Sequence, residues 1–149
     1  KSLPAKLKLR RRRRLDWEDQ QRWLTEIYPR DIRWNLSVDF SHFSPGLIHF
    51  LSNLLEGKHF KHWSVSSAKV NQGTITWQKT SSFANNLWLA FPEESEVETL
   101  PLALDFVMNR LAPRHPISID YPKGRFQKQF DAMGFHHFRT LIWMRHQFK

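Results

Sequence analysis

Apolar and polar positions alternate from the start of the chain. Residues 5–13, AKLKLRRRR, set Leu7 and Leu9 between lysines and arginines, the period of two that predicts a strand with one wetted face. Asp16 stands where an N-cap belongs. Trp17, Gln20, Trp23, Leu24, Ile27 and Tyr28 then recur at helical spacing as far as Pro29, which predicts the first helix. The stretch RDIRWNLSVDFSHF has no clear period. SPG after it opens a second helix, in which Leu47, Ile48, Phe50, Leu51, Leu54 and Leu55 recur before Gly57 stops it.

Alternation returns in KHWSVSSAKV and GTITWQKT, two predicted strands joined around Asn71, Gln72 and Gly73. NLWLAF, residues 86–91, predicts a third and fully apolar strand ended by Pro92. Thr99 is placed to cap the next helix, with Pro101 in its first turn, where a missing N–H costs little. Leu102, Leu104, Phe106, Val107 and Leu111 form its buried side, and Pro113 closes it. PISIDYP at 116–122 reads as a short buried strand. Residues 124–133 read as a helix with Phe126, Phe130 and Met133 inward and Gly134 as its stop. The last strand is FRTLIWMRHQF, apolar on both faces. No internal repeat is present. The expectation is one α/β domain over residues 1–149, with 1–14 as a basic arm and first strand, whether alone or as part of a longer or tandem protein.

Composition narrows the function classes. A chain of 149 residues can bury about two thirds of the surface its unfolded form exposes, and 7 Trp and 12 Phe supply an aromatic core. No apolar run reaches the length of a bilayer span, and the Arg-rich start lacks the apolar stretch of a secretory signal, so the cytoplasm is expected and a membrane is not. The absence of cysteine excludes disulfides, thiolate metal sites and a cysteine nucleophile. The net charge of +9 is uneven: residues 1–14 contribute eight cations and no acid, leaving 15 basic and 14 acidic residues elsewhere. A second basic zone, 110–149, holds eight Lys or Arg against Asp120 and Asp131.

Strand, helix, helix, three strands, helix, strand, helix, strand is the order of elements in the GCN5-related N-acetyltransferases, and the chain resembles that family from about Leu7 to Phe148. FDAMGFHHFRTLIWM is similar to the family's ending, a helix stopped at Gly-Phe and followed by a long strand running to Met. The resemblance implies a mixed, mostly antiparallel sheet flanked by helices. It also implies a V-shaped gap between the strands 86–91 and 116–122, and an activity that moves an acetyl or other acyl group from acyl-CoA to an amine. In family enzymes a loop of the type Gln/Arg-x-x-Gly-x-Gly/Ala opens the third helix, and its bare N–H groups hold the coenzyme A pyrophosphate. The matching segment here, PEESEVETLP, has no Gly, Arg or Gln and carries Glu93, Glu94, Glu96 and Glu98. At an effective dielectric of about 20, a carboxylate some 4 Å from a phosphate charge is repelled by several kcal/mol before screening. Many members also place a tyrosine four residues before the Gly-Phe to protonate the leaving thiolate; Phe130 stands there, with no proton to give. The strand 86–91 lacks the glutamate that often serves as base.

The implied cofactor is acetyl-CoA or another acyl-CoA, without a metal. Its pantetheine would meet the backbone of Leu89, Ala90 and Phe91. Lys123, Gly124 and Arg125, at a predicted helix N-terminus, would supply an alternative anion site, with Tyr121 as the substitute acid. Tyr121 also reads as a residue that closes the core. The other reading is a noncatalytic relative, such as one half of a tandem protein, that binds a partner. A small-molecule or peptide amine is the expected substrate if the domain is active, and a homodimer or tandem partner is compatible with either reading.

Weaker signals resolve toward structure. His59 and His62, three apart on a strand, face opposite ways, and neither they nor His136 and His137 have the ligands that complete a zinc site. Asp120 and His115 have no visible partner for general-base work. The arginine run could grip nucleic-acid phosphates. Its place in a strand instead predicts pairing with acids such as Glu18 or Asp19 and protection of a sheet edge. The tryptophans are scattered over many elements, which favours core over base stacking.

Overall fold

The structure, a computed structural model, describes residues 7–68, 70–111 and 115–142. Five strands, β1 (Leu7–Arg11), β2 (His59–Ser67), β3 (Val70–Lys79), β4 (Asn85–Ala90) and β5 (Ile117–Ile119), form one sheet in that order. The first four are antiparallel to their neighbours and β5 lies parallel to β4. The sheet is thus mixed and mostly antiparallel. Among the described residues four α-helices accompany it: α1 (Trp17–Ile27), α2 (Leu47–Leu55), α3 (Glu93–Leu111) and α4 (Gln127–Ala132).

β4 is buried on both faces because successive side chains point to opposite sides. Leu87 and Leu89 join Val65, Ile75 and Phe91 in a core with Leu100, Ala103, Leu104 and Val107 of α3. Trp88 and Ala90 join Trp23, Leu24, Ile27, Tyr28, Phe40 and Phe43 in a second core under α1. Tyr121 packs against both cores, at the end of the sheet where β5 stops.

Several local expectations change. Asp16 precedes α1 without capping it. Its carboxylate, only 6% exposed, accepts from both Arg10 nitrogens at 2.6 and 2.7 Å, from the Arg13 N–H and from Ser64. Arg12 donates to Gln20 at 2.5 Å and to the Phe43 carbonyl at 2.6 Å, and lies over the Trp17 ring. Arg10 is therefore tied to the turn before α1, and Arg12 to α1 and to Phe43 of the second core, rather than to Glu18 or Asp19. Asp19 pairs with Arg22 instead.

Asn71, Gln72 and Gly73 do not form the hairpin turn, which falls between Ser67 and Val70; they lie inside β3 beside a register shift at Val65/Ser66. Gly73 is required there because the Phe91 ring packs directly on its Cα, where a Cβ would overlap the ring.

α3 starts at Glu93, so Pro101 stands inside it, where it removes the hydrogen bond to the Val97 carbonyl. Thr99 caps nothing: its hydroxyl donates back to the Ser95 carbonyl. Leu102 and Phe106, expected inward, are half-buried, while Glu96, Thr99, Leu100 and Ala103 are buried. The strand 116–122 shrinks to three residues. α4 begins at Gln127 because Phe126 adopts a left-handed φ of 62° before it, and Gly134, φ 84°, stops it as expected. Residues 138–142 of the expected last strand are exposed and form no strand; its remainder lies outside the described residues. α2 forms where expected, but its recurring apolar side chains face outward.

Candidate functional site

β4 and β5 are paired only from Asn85↔Ile117 to Leu87↔Ile119, after which β4 runs on to Ala90 while β5 ends. The strands part beyond Leu87 and Ile119. The polar groups of this opening are already engaged. The Tyr28 hydroxyl donates to the Asp120 carbonyl at 2.8 Å. Its ring is fixed edge-on against Trp88, with centroids 5.6 Å apart, and is tilted against Phe40. Burial first, and then the Asp120 charge, push the Tyr28 hydroxyl well above the ordinary phenol range, so it remains a donor at any working pH. Leu89, Ala90 and Phe91 are at most 1% exposed, and Phe91 is held down on Gly73.

A second arrangement lies at the start of α3. Pro92 accepts the Ser95 and Glu96 N–H groups at 3.1 Å, which closes the first turn. Ser95 turns its hydroxyl to the Gln72 carbonyl, tying the turn to β3. Glu96, 3% exposed, points inward. Its carboxylate accepts from the Tyr121 hydroxyl through Oε1 and from Arg125 Nε at 2.7 Å through Oε2. Arg125 also lies over the Tyr121 ring at 5.8 Å, and Tyr121 packs edge-on to Phe130. Burial and the Glu96 hydrogen bond both raise the Tyr121 pKa. Burial opposes the Arg125 charge, but the bond to Glu96 together with the Tyr121, Glu96 and Glu93 charges outweighs it and raises that pKa too. Glu96 is a built-in anion at a helix N-terminus, where an anion is favoured.

Tyr121 and Arg125, two of the residues expected at a cofactor, are thus brought together, and both are bound to Glu96. Lys123 and Gly124 are exposed in the turn before α4, closed by the Arg125 N–H on the Pro122 carbonyl. Two participants were not singled out from sequence. Tyr28 read as one more apolar position of a helix, although a buried tyrosine hydroxyl needs a partner. Glu96 read as one of four similar acids, and only the packing of α3 separates it from exposed Glu93, Glu94 and Glu98.

Outside this opening, a groove of about 470 Å³ runs along the start of α3 between α1 and β3, lined by Arg22, Trp23, Glu26, Asn71, Gln72, Glu93, Glu94 and Ser95 among others. Three carboxylates and one guanidinium line it, which disfavours a diphosphate. Among the described residues no three His, Asp or Glu side chains stand together as a metal site would require. His62 donates to or accepts from Thr76 at 2.8 Å inside the sheet, while His59, His115, His136 and His137 are exposed. No helix among the described residues is long and apolar enough to cross a membrane.

No family model matches the chain, and no curated protein matches it in sequence. Solved structures do match in fold. Spermidine N-acetyltransferase from Vibrio cholerae, in complex with CoA and spermine, superposes with a TM-score of 0.59 at 16% identity, covering 93% of this chain and 86% of that one. A protein described as a predicted acetyltransferase from Clostridium acetobutylicum, solved with acetyl-CoA, gives 0.57 at 16% identity over 93% and 96%. An aminoglycoside 6'-N-acetyltransferase from Acinetobacter baumannii gives 0.54 at 10% identity over 96% and 99%. At these identities the likeness is one of fold. The residues present do not fit the pyrophosphate of coenzyme A: carboxylates line the helix start, and Glu96 already holds the Arg125 guanidinium.

Proposed function

We propose that this chain, whose fold is that of the GCN5-related N-acetyltransferases, is a noncatalytic member of that architecture, a binding or packing domain that does not seat acyl-CoA in the family's place. One observation carries the reading. Buried Glu96 occupies the anion position at the start of α3 and holds the two donors, Tyr121 and Arg125, that would otherwise be offered to a phosphate or to a leaving thiolate. Removing Arg125 from Glu96 would leave a carboxylate buried without its cation, at a cost of about 3–5 kcal/mol, which a cofactor would have to supply from its own binding. The Tyr28 hydroxyl, held on the Asp120 carbonyl beside the opening, adds the loss of one further hydrogen bond.

The second reading is an N-acyltransferase acting on an amine. It is favoured by the fold shared with structures solved with CoA and acetyl-CoA. In that case Tyr121 would have to leave Glu96 before it could give up a proton. The two readings separate in a thiol-release assay with acetyl-CoA and a panel of amines, including spermine and aminoglycosides. The noncatalytic reading expects release at the rate without protein. Turnover that saturates in both substrates, and that is lost in Tyr121→Phe, would establish the second reading instead.

A further inference from the structure

α2 is attached to the molecule by its polar side. Asn53 donates to the His42 carbonyl at 2.8 Å and pairs with His42 Nδ1 at 2.9 Å, and Ser52 and Asn53 are its least exposed residues. Leu47, Ile48, Phe50, Leu51, Leu54 and Leu55 are 72%, 82%, 62%, 47%, 55% and 88% exposed. At about 100° per residue these six fall on one arc of roughly 160°, a width that a surface helix normally turns toward a core. The amphipathic pattern is complete and points the wrong way for a lone molecule.

We infer that this face is the contact between two copies of the chain, packed α2 against α2 about a two-fold axis. A two-fold interface sets a surface against itself, so any charge on it faces its like. LIHFLSNLL carries no Asp, Glu, Lys or Arg, and the nearest charges, Glu56 and Lys58, are paired with each other at 2.5 Å beyond its C-terminal end. The exposed parts of the six side chains come to roughly 700 Å² per copy, above the about 300–600 Å² of the largest apolar patch on an ordinary monomer. A symmetric pair covering most of it removes about 1,200 Å² or more from water, the lower bound for a stable interface. A lipid surface fits less well, because a helix that lies on a membrane carries Lys or Arg on its polar face and this one carries none. The inference stands on α2 alone and holds whether or not the domain transfers acyl groups.

Sedimentation equilibrium of the whole chain from 1 to 100 µM tests it, with circular dichroism as the check on folding. The wild type is expected to be a dimer in the upper part of that range. Leu51→Glu with Leu54→Glu, at the centre of the arc, is expected to weaken association about 100-fold or more with an unchanged spectrum, since each charge would be buried without a partner. Phe138→Glu, in a different exposed apolar segment, is expected to leave the dimer intact. A single Leu54→Cys in this cysteine-free chain is expected to give a disulfide-linked dimer on mild oxidation. A wild type that stays monomeric at 100 µM overturns the proposal, including one that instead sediments with phospholipid vesicles. A dimer that survives the double substitution, or one that Phe138→Glu dissociates, overturns it as well.

Discussion

Glu96 Oε2 accepts a 2.7 Å hydrogen bond from Arg125 Nε, joining the first turn of α3 to the turn before α4. The pair closes one end of the core, where Tyr121 also delivers its hydroxyl to Glu96. Glu96→Ala is expected to lower stability by about 3–5 kcal/mol, because Arg125 and Tyr121 are left without their acceptor in a water-poor site. Glu96→Gln keeps one acceptor oxygen and should cost less, about 1–3 kcal/mol. Urea denaturation of the two variants checks the order, and equal stability would mean that the carboxylate is solvated.

Tyr28→Phe keeps the ring packing against Trp88 and Phe40 but orphans the Asp120 carbonyl. A loss of about 1–3 kcal/mol is expected, seen as a fall in Tm of roughly 3–8 °C. An unchanged Tm would show that the hydroxyl does not hold the Asp120 carbonyl.

His62 gives the pH dependence. Burial first, and then the Arg12 and Arg11 charges, hold its pKa down at about 3. The unfolded chain takes up the proton near pH 6.5, whereas the folded one does not until about pH 3. The stability it contributes is therefore full above pH 6.5 and is lost progressively as the pH falls toward 3, at about 1.4 kcal/mol per pH unit. Between pH 6.5 and 5 the loss is about 2 kcal/mol, and His62→Gln should remove that slope. Asp16 adds to it lower down. Burial works to raise its pKa, but hydrogen bonds from Arg10, Arg13 and Ser64 outweigh that and depress it, so its contribution is present above the ordinary Asp range and lost in stronger acid.

Gly73→Ala should cost about 1–3 kcal/mol, because the added methyl meets the buried Phe91 ring rather than open space. Phe91→Leu in the same chain should return part of the loss. If Gly73→Ala alone is neutral in thermal denaturation, Phe91 is not held against β3.

The sheet and its flanking helices were legible because periods of two and 3.6 mark them, and the apolar run 86–91 marked the central strand. What the pattern could not carry was partnership. Asp16 has the residue type and place of an N-cap, but the Arg10 guanidinium, from β1, holds its carboxylate instead. Asn71 to Gly73 has turn chemistry, yet Gly73 is there for a ring that arrives from β4's end. The apolar face of α2 was plain in the sequence, and its direction was not, because periodicity gives the width of a stripe and not what it faces. At the candidate site the acids of PEESEVETLP were visible as a departure from an anion loop. That one of them would turn inward and bind Tyr121 and Arg125 depends on α3 starting at Glu93, six residues before the cap that Thr99 suggested.

The claim that the chain's own side chains occupy the cofactor's place is tested most directly by calorimetric titration of acetyl-CoA into the whole protein near neutral pH. No heat of binding up to millimolar ligand is the predicted result. Binding in the micromolar range that Lys123→Glu with Arg125→Glu abolishes, in a protein still folded by circular dichroism, would contradict it.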